Sequence, residues 1–114
     1  MLKHIKIRPA GGTWVIRAGG AVLGESGRAL ELTEGEMPSV IYFPREDIAM
    51  AFLEPSEYRT LNQWIGEARY FNIASKSRTY DNAVWSYEAP LDEAKDLEGY
   101  LAFHVQDGVA VEQV

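Results

Sequence analysis

The sequence predicts a mainly β fold built from antiparallel sheets. Three observations carry that reading. Short runs of alternating apolar and polar residues recur along the chain, Gly-Gly and Asp-Gly steps separate β-prone runs, and only two stretches have a helical period. The opening "HIKIR" alternates apolar and charged residues, as a strand with one exposed face does. In "TWVIRAGGAVLGES" two β-prone runs meet at Gly19-Gly20, which predicts a hairpin because a two-residue turn with positive φ matches strand twist. "RALELTEG" continues with Leu30 and Leu32 on one face and Glu31 on the other, and "VIYF" (40–43) suits a buried strand.

The period then changes. In "PREDIAMAFLEPS", Pro44 can open a helix, and Glu46 and Asp47 complement its N-terminal dipole. Ile48, Ala51 and Phe52 follow at i, i+3 and i+4, and Pro55 ends the segment. "EARYFNIAS" and "NAVWSYEA" read as paired strands joined by the polar "KSRTYD", with Tyr70 and Trp85 as cross-strand neighbours. A second short helix is expected at "PLDEAKDLEG", stopped by Gly99. "YLAFHV" and "VAVEQV" close the chain as a hairpin over Gln106-Asp107-Gly108. About eight strands and two short helices fit a sheet sandwich or an open barrel, in a single domain spanning residues 1–114.

Composition narrows the function classes. Three Trp, six Tyr and four Phe give the core bulk, since each ring buries roughly 150–250 Å². The net charge of −6 disfavours nucleic acid and anionic membranes as partners, because both reward a basic face. Arg45, Arg59, Arg69, Lys76 and Arg78 do cluster in one third of the chain, where a solvated face accounts for them. The absence of cysteine excludes disulfides, thiolate zinc sites and thiol nucleophiles. No apolar run approaches the roughly 20 residues of a membrane span, and "MLKHIKIRP" has no apolar leader core, so a cytoplasmic location is expected.

Chemical motifs are sparse. Gly19, Gly24 and Ser26 keep the spacing of a phosphate loop, but Glu25 stands where the lysine belongs and would repel phosphate. His4 and His104 lie far apart on predicted strands and face solvent in the simpler reading; no metal and no cofactor is expected. Ser26 sits past a hairpin rather than on a nucleophile elbow. Glu46, Asp47, Glu67, Asp81 and Glu88 offer carboxylates without a spacing that singles one out. The aromatics are more informative. Trp85 and Tyr87, two apart on one strand, share a face, and Trp64 occupies a turn where an indole has no backbone reason to be. They read either as a core face or as the walls of a ligand pocket with Arg45 and Asp47 at its rim.

Several stretches, "GESGRALEL", "VIYFPREDI", "TLNQWIGEARYFNI", "VWSYEAP" and "YLAFH", together resemble the family catalogued as domain of unknown function 427, which some listings label nucleotidyltransferase-like. The similarity covers residues 13–112. Tyr42, Pro44, Arg45, Asp47 and Ile48, then Trp85, Ser86, Tyr87 and Pro90, then Ala102 and Phe103, carry its pattern. The resemblance implies a β-tent fold, in which two antiparallel sheets meet at an angle, as in methionine-R-sulfoxide reductases and the drug-binding domain of cereblon. Zinc on four cysteines commonly pins that fold; this chain has none to offer, so zinc is not carried over. Family members usually have Thr-x-Cys-Pro-x-Lys-Gly where this chain has "TLNQWIG". Thr60, Trp64 and Gly66 fit, whereas Asn62, Gln63 and Ile65 replace Cys, Pro and Lys, which shifts Trp64 from chemistry towards shape. The transferase label gains no support from an acidic metal pair or a phosphate loop.

The leading expectation is therefore an aromatic-walled pocket for a small polar or aromatic ligand. Trp64 and Trp85 are its walls and Arg45 its anchor, with Asp47, Ser26, Arg28, Tyr70 and Tyr87 as further candidates. Two alternatives stand beside it: an enzyme using Asp47 or Glu67 as acid–base with Arg45 as electrophile, and a homodimeric interaction module whose aromatic face is covered by a second copy.

Overall fold

The computed structural model describes residues 4–114, so residues 1–3 of the expected single domain lie outside the described residues. The strands are β1 (Ile5–Pro9), β2 (Trp14–Ala18), β3 (Ala21–Ser26), β4 (Leu30–Glu34), β5 (Val40–Tyr42), β6 (Leu53–Asn62), β7 (Gly66–Ala74), β8 (Thr79–Ser86), β9 (Leu101–Phe103) and β10 (Val109–Gln113). They form three antiparallel ladders, β1-β4-β5, β10-β2-β3 and β6-β7-β8-β9. The mainly β, antiparallel expectation is met.

The first and third ladders are stitched together just past β5. The Phe43 N–H donates to the Leu101 carbonyl at 2.8 Å, and the Leu101 N–H returns a bond of 2.9 Å. The result is one run in the order β1-β4-β5-β9-β8-β7-β6, with β10-β2-β3 as the second sheet. The run curls on itself. Asn62 at the end of β6 donates a 3.0 Å hydrogen bond to Glu34 on β4, although these strands lie near opposite flanks of the run.

β9 shows how the run is covered. Successive side chains on a strand point to opposite faces, yet Leu101, Ala102 and Phe103 are all buried. Leu101 and Phe103 join a core with Ile16, Leu23, Phe43, Ile73 and Val84, facing the β10-β2-β3 sheet. Ala102 joins a second core with Ile5, Leu32, Tyr42, Ile65 and Leu97, inside the curl.

Three expectations are corrected, and one strand was not foreseen. The helix predicted after Pro44 is two single 3₁₀ turns, Arg45–Asp47 and Met50–Phe52. Between them Ile48 is extended and bridges Gly24 of β3, so its backbone serves the sheet instead of a helix too short to sustain itself. The second helix is likewise 3₁₀, over Asp92–Leu97, broken by non-helical Ala94 while Ala94 and Leu97 plug the inner core. The ten-residue β6 was not legible in its polar sequence. It is an edge strand, where Pro55 is tolerated and only one side needs a partner. Finally, Asp107-Gly108 does form a tight turn, with Gln106 and Val109 bonded across it, but no hairpin follows. β9 pairs with β8 while β10 leaves to pair with β2, where Val109 is buried beside Ile16. By contrast, the Gly19-Gly20 hairpin forms as expected, both glycines having positive φ (57° and 83°).

Candidate functional site

Antiparallel register builds a row of side chains across the inside of the curl. Tyr70 pairs with Trp85 and Trp85 pairs with Ala102, while the Phe43–Leu101 bridge sets Ala102 beside Tyr42. Ala102 leaves room between two large rings, so the Trp85 indole N–H reaches across and donates to the Tyr42 hydroxyl at 3.0 Å. Those rings meet edge to face, centroids 6.3 Å apart at 89°. Tyr87 lies 6.4 Å from Tyr42, Tyr70 lies 6.4 Å from Trp85, and Tyr58 packs on Tyr70 at 4.8 Å. The Tyr70 hydroxyl is held 3.1 Å from Thr60 Oγ1.

Tyr42, Tyr70, Trp85 and Tyr87 wall a cavity of about 310 Å³, completed by Leu32, Glu34, Val40, Asn82 and His104. That volume lies at the small end of ligand pockets, roughly 300–1,000 Å³. Its polar groups are fixed from behind. Glu34 Oε2 accepts from Asn62 Nδ2, and His4 Nε2 stands 3.9 Å away. Asn82 has a positive φ of 50° at a break in the β7–β8 register. Its N–H donates to Asn72 Oδ1 at 2.8 Å and its Oδ1 accepts from the Ser56 hydroxyl, so its Nδ2 has no protein partner among the described residues. The Tyr42 hydroxyl accepts from Trp85, and neither its own proton nor the Tyr87 hydroxyl has an acceptor or partner among the described residues.

Burial raises the pKa of both phenols. Tyr42 is pushed well above the ordinary tyrosine value, first by desolvation and then by Tyr87 and Glu34, with the Trp85 bond opposing. Tyr87 is pushed up to about 12, first by desolvation and then by Tyr70 and Glu34. Both are neutral hydrogen-bonding groups at physiological pH, and both feel the Glu34 carboxylate.

Of the sequence candidates, Trp85, Tyr70 and Tyr87 line this cavity. Trp64 does not; it stacks on His4 with centroids 4.6 Å apart and planes 22° off parallel. Trp64 thus backs the histidine that stands next to Glu34, one layer behind the cavity. The turn itself is made by Asn62, whose Oδ1 accepts the Trp64 N–H at 2.8 Å, and by Ile65, fully buried in the inner core. A larger depression of about 570 Å³ lies over Trp64, but Gln63, Leu91, Asp92 and Glu93 around it are exposed and Trp64 is its single ring.

Arg45 and Asp47 belong to polar clasps elsewhere. Arg45 donates to the Gly99 carbonyl at 3.1 Å, the Ser86 hydroxyl at 3.3 Å and Glu88 at 3.1 Å. Ser86 follows Trp85 on β8 and therefore points to the other face. Arg69 takes the second Glu88 oxygen at 3.2 Å. Asp47 accepts from Arg28 through both oxygens, at 3.1 and 3.2 Å, and this hydrogen bond, then the charge, raises the Arg28 pKa. Buried Ser26 accepts the Arg28 N–H at 2.9 Å. The arginine expected as an anchor is thus committed away from Trp85. Glu67, the other candidate acid, lies with Arg59, Arg69 and Glu88 along a separate cleft.

Sequence reasoning missed Glu34, Tyr42, Asn82 and His104 as cavity residues. Strand register could have found Tyr42 once β5 was placed beside β9, whereas Glu34 needed the curl, which no local pattern announces. Among the described residues no three His, Asp or Glu side chains group as a metal site, and no helix is long and apolar enough to cross a membrane.

No curated protein matches the chain. The model of the family described as Domain of unknown function (DUF427) matches residues 6–114, almost the whole length, and the chain belongs to that family.

Proposed function

We propose that the protein binds a small polar or aromatic molecule in the cavity walled by Tyr42, Tyr70, Trp85 and Tyr87. One observation carries the reading. Inside a curl of apolar rings, the Tyr42 and Tyr87 hydroxyls and Asn82 Nδ2 retain hydrogen-bonding capacity that no described protein group takes up. Among the described residues Arg69 Nε is the fully buried polar side-chain atom without a partner, so the Tyr87 hydroxyl and Asn82 Nδ2 still reach solvent and take their remaining partners from it. A ligand, or the water it displaces, supplies them. The family match across residues 6–114 supports treating the chain as one working domain. The enzymatic alternative gains nothing from Arg45 and Asp47, which sit in separate ion pairs.

Trp85 is also the reporter. With Trp14 and Trp64 replaced by Phe, a panel of nucleotides, amino acids, heterocycles and amines is titrated against the remaining indole emission. A binding member changes that emission and raises the melting temperature; a panel in which no compound does either contradicts the proposal.

A further inference from the structure

Resting on that cavity reading, we propose that the ligand is a small organic cation carrying a methylated ammonium group, held on the faces of Trp85 and its neighbouring tyrosines and balanced by Glu34. The walls supply the first argument. Trp85, Tyr42, Tyr70 and Tyr87 bring four π systems to one cavity. Ring faces carry negative quadrupole potential and attract cations, tryptophan most strongly, and more so where water is excluded.

The charges supply the second. Among the described residues Glu34 is the single carboxylate on the cavity lining, and no Lys or Arg is on it. Asn62 bonds Oε2 of Glu34, leaving Oε1 without a partner among the described residues. An anionic ligand would face that carboxylate and the ring faces with no guanidinium to balance it, since Arg45 and Arg69 are both bound to Glu88. The imidazoles near this carboxylate are His4, behind Glu34, and His104, on the lining.

Size and polarity supply the third. About 310 Å³ suits a trimethylammonium head with a short tail. The neutral Tyr42 and Tyr87 hydroxyls and Asn82 Nδ2 then meet the polar tail instead of adding charge.

The probes are choline and dimethylbutanol, its uncharged carbon isostere, each titrated against the Trp85-only protein. Choline is expected to quench or shift the Trp85 emission, with the isostere weaker by about tenfold or more. Glu34→Gln, which removes the charge and keeps an acceptor for Asn62, should weaken choline by about tenfold and the isostere much less. Equal binding of the two probes overturns the cation assignment and leaves the ligand cavity standing. So does binding of another panel member when choline does not bind. Silence of Trp85 towards every compound overturns both. The comparison of probes on the unmodified cavity decides the matter even if the Glu34 variant folds poorly.

Discussion

Trp85 and Tyr42 depend on each other across the space that Ala102 leaves open. Replacing Trp85 by Phe keeps a ring but removes the indole donor, leaving the buried Tyr42 hydroxyl without a described protein partner. Urea unfolding should show a loss of about 1–3 kcal/mol. Adding Tyr42→Phe should restore part of it, because two apolar partners strand no polar group. Tyr87 makes a prediction in pH. Its folded pKa of about 12 exceeds the ordinary 10.0, so folding favours the protonated phenol. That contribution is complete below pH 10 and is lost as pH rises through about 12. Tyr87→Phe should therefore flatten the fall in stability across that window, read as unfolding midpoint against pH. At this scale the sequence was informative where one strand's alternation sufficed, as for Trp85 and Tyr87. It was silent on Glu34 and Asn82, whose place depends on strands distant in the chain.

Among the elements, β3 and the segment after Pro44 explain a glycine that resembled part of a phosphate loop. A Cβ at Gly24 would stand 2.5 Å from the Asp47 carbonyl oxygen and 2.7 Å from the Ile48 side chain. The glycine is there so that Ile48 can bridge to β3. Gly24→Ala should destabilise by about 1–3 kcal/mol in a denaturant titration, the usual cost of overpacking. A variant as stable as the parent would mean that this contact is loose. The same segment shows why the helix was over-read: Ile48, Ala51 and Phe52 have helical spacing, but a bridge to β3 at Ile48 outweighs one turn's intrinsic helicity. β6 was hidden for the opposite reason. As an edge strand its pattern is mostly exposed and polar, and its pairing is visible only from β7. The Trp64 turn is intermediate: Asn62 and Gly66 mark it in the sequence, while the stacking on His4 does not show there.

For the whole molecule, the two faces of the seven-strand run have separate tasks. The inner face carries the cavity and the outer face carries the Arg45–Glu88–Arg69 network and the larger core. Arg45→Ala removes bonds to Gly99, Ser86 and Glu88 together, which should cost about 1–2 kcal/mol after allowing for partial exposure. It should leave ligand affinity unchanged, and a large affinity loss in a protein of normal stability would return Arg45 to the site. The mainly β class and most of the strands were readable from turns and alternation. The curl that joins Glu34 to Asn62 was not, because it is a property of the assembled sheet. A nitrogen-labelled sample examines the cavity directly, since Trp14, Trp64 and Trp85 each give an indole N–H resonance. Titration with choline should move the Trp85 resonance, whose proton lies on the Tyr42 hydroxyl, and leave Trp14 and Trp64 in place. A Trp85 resonance that stays fixed for choline and the whole panel, or shifts confined to Trp64, would contradict a ligand site at the centre of this fold.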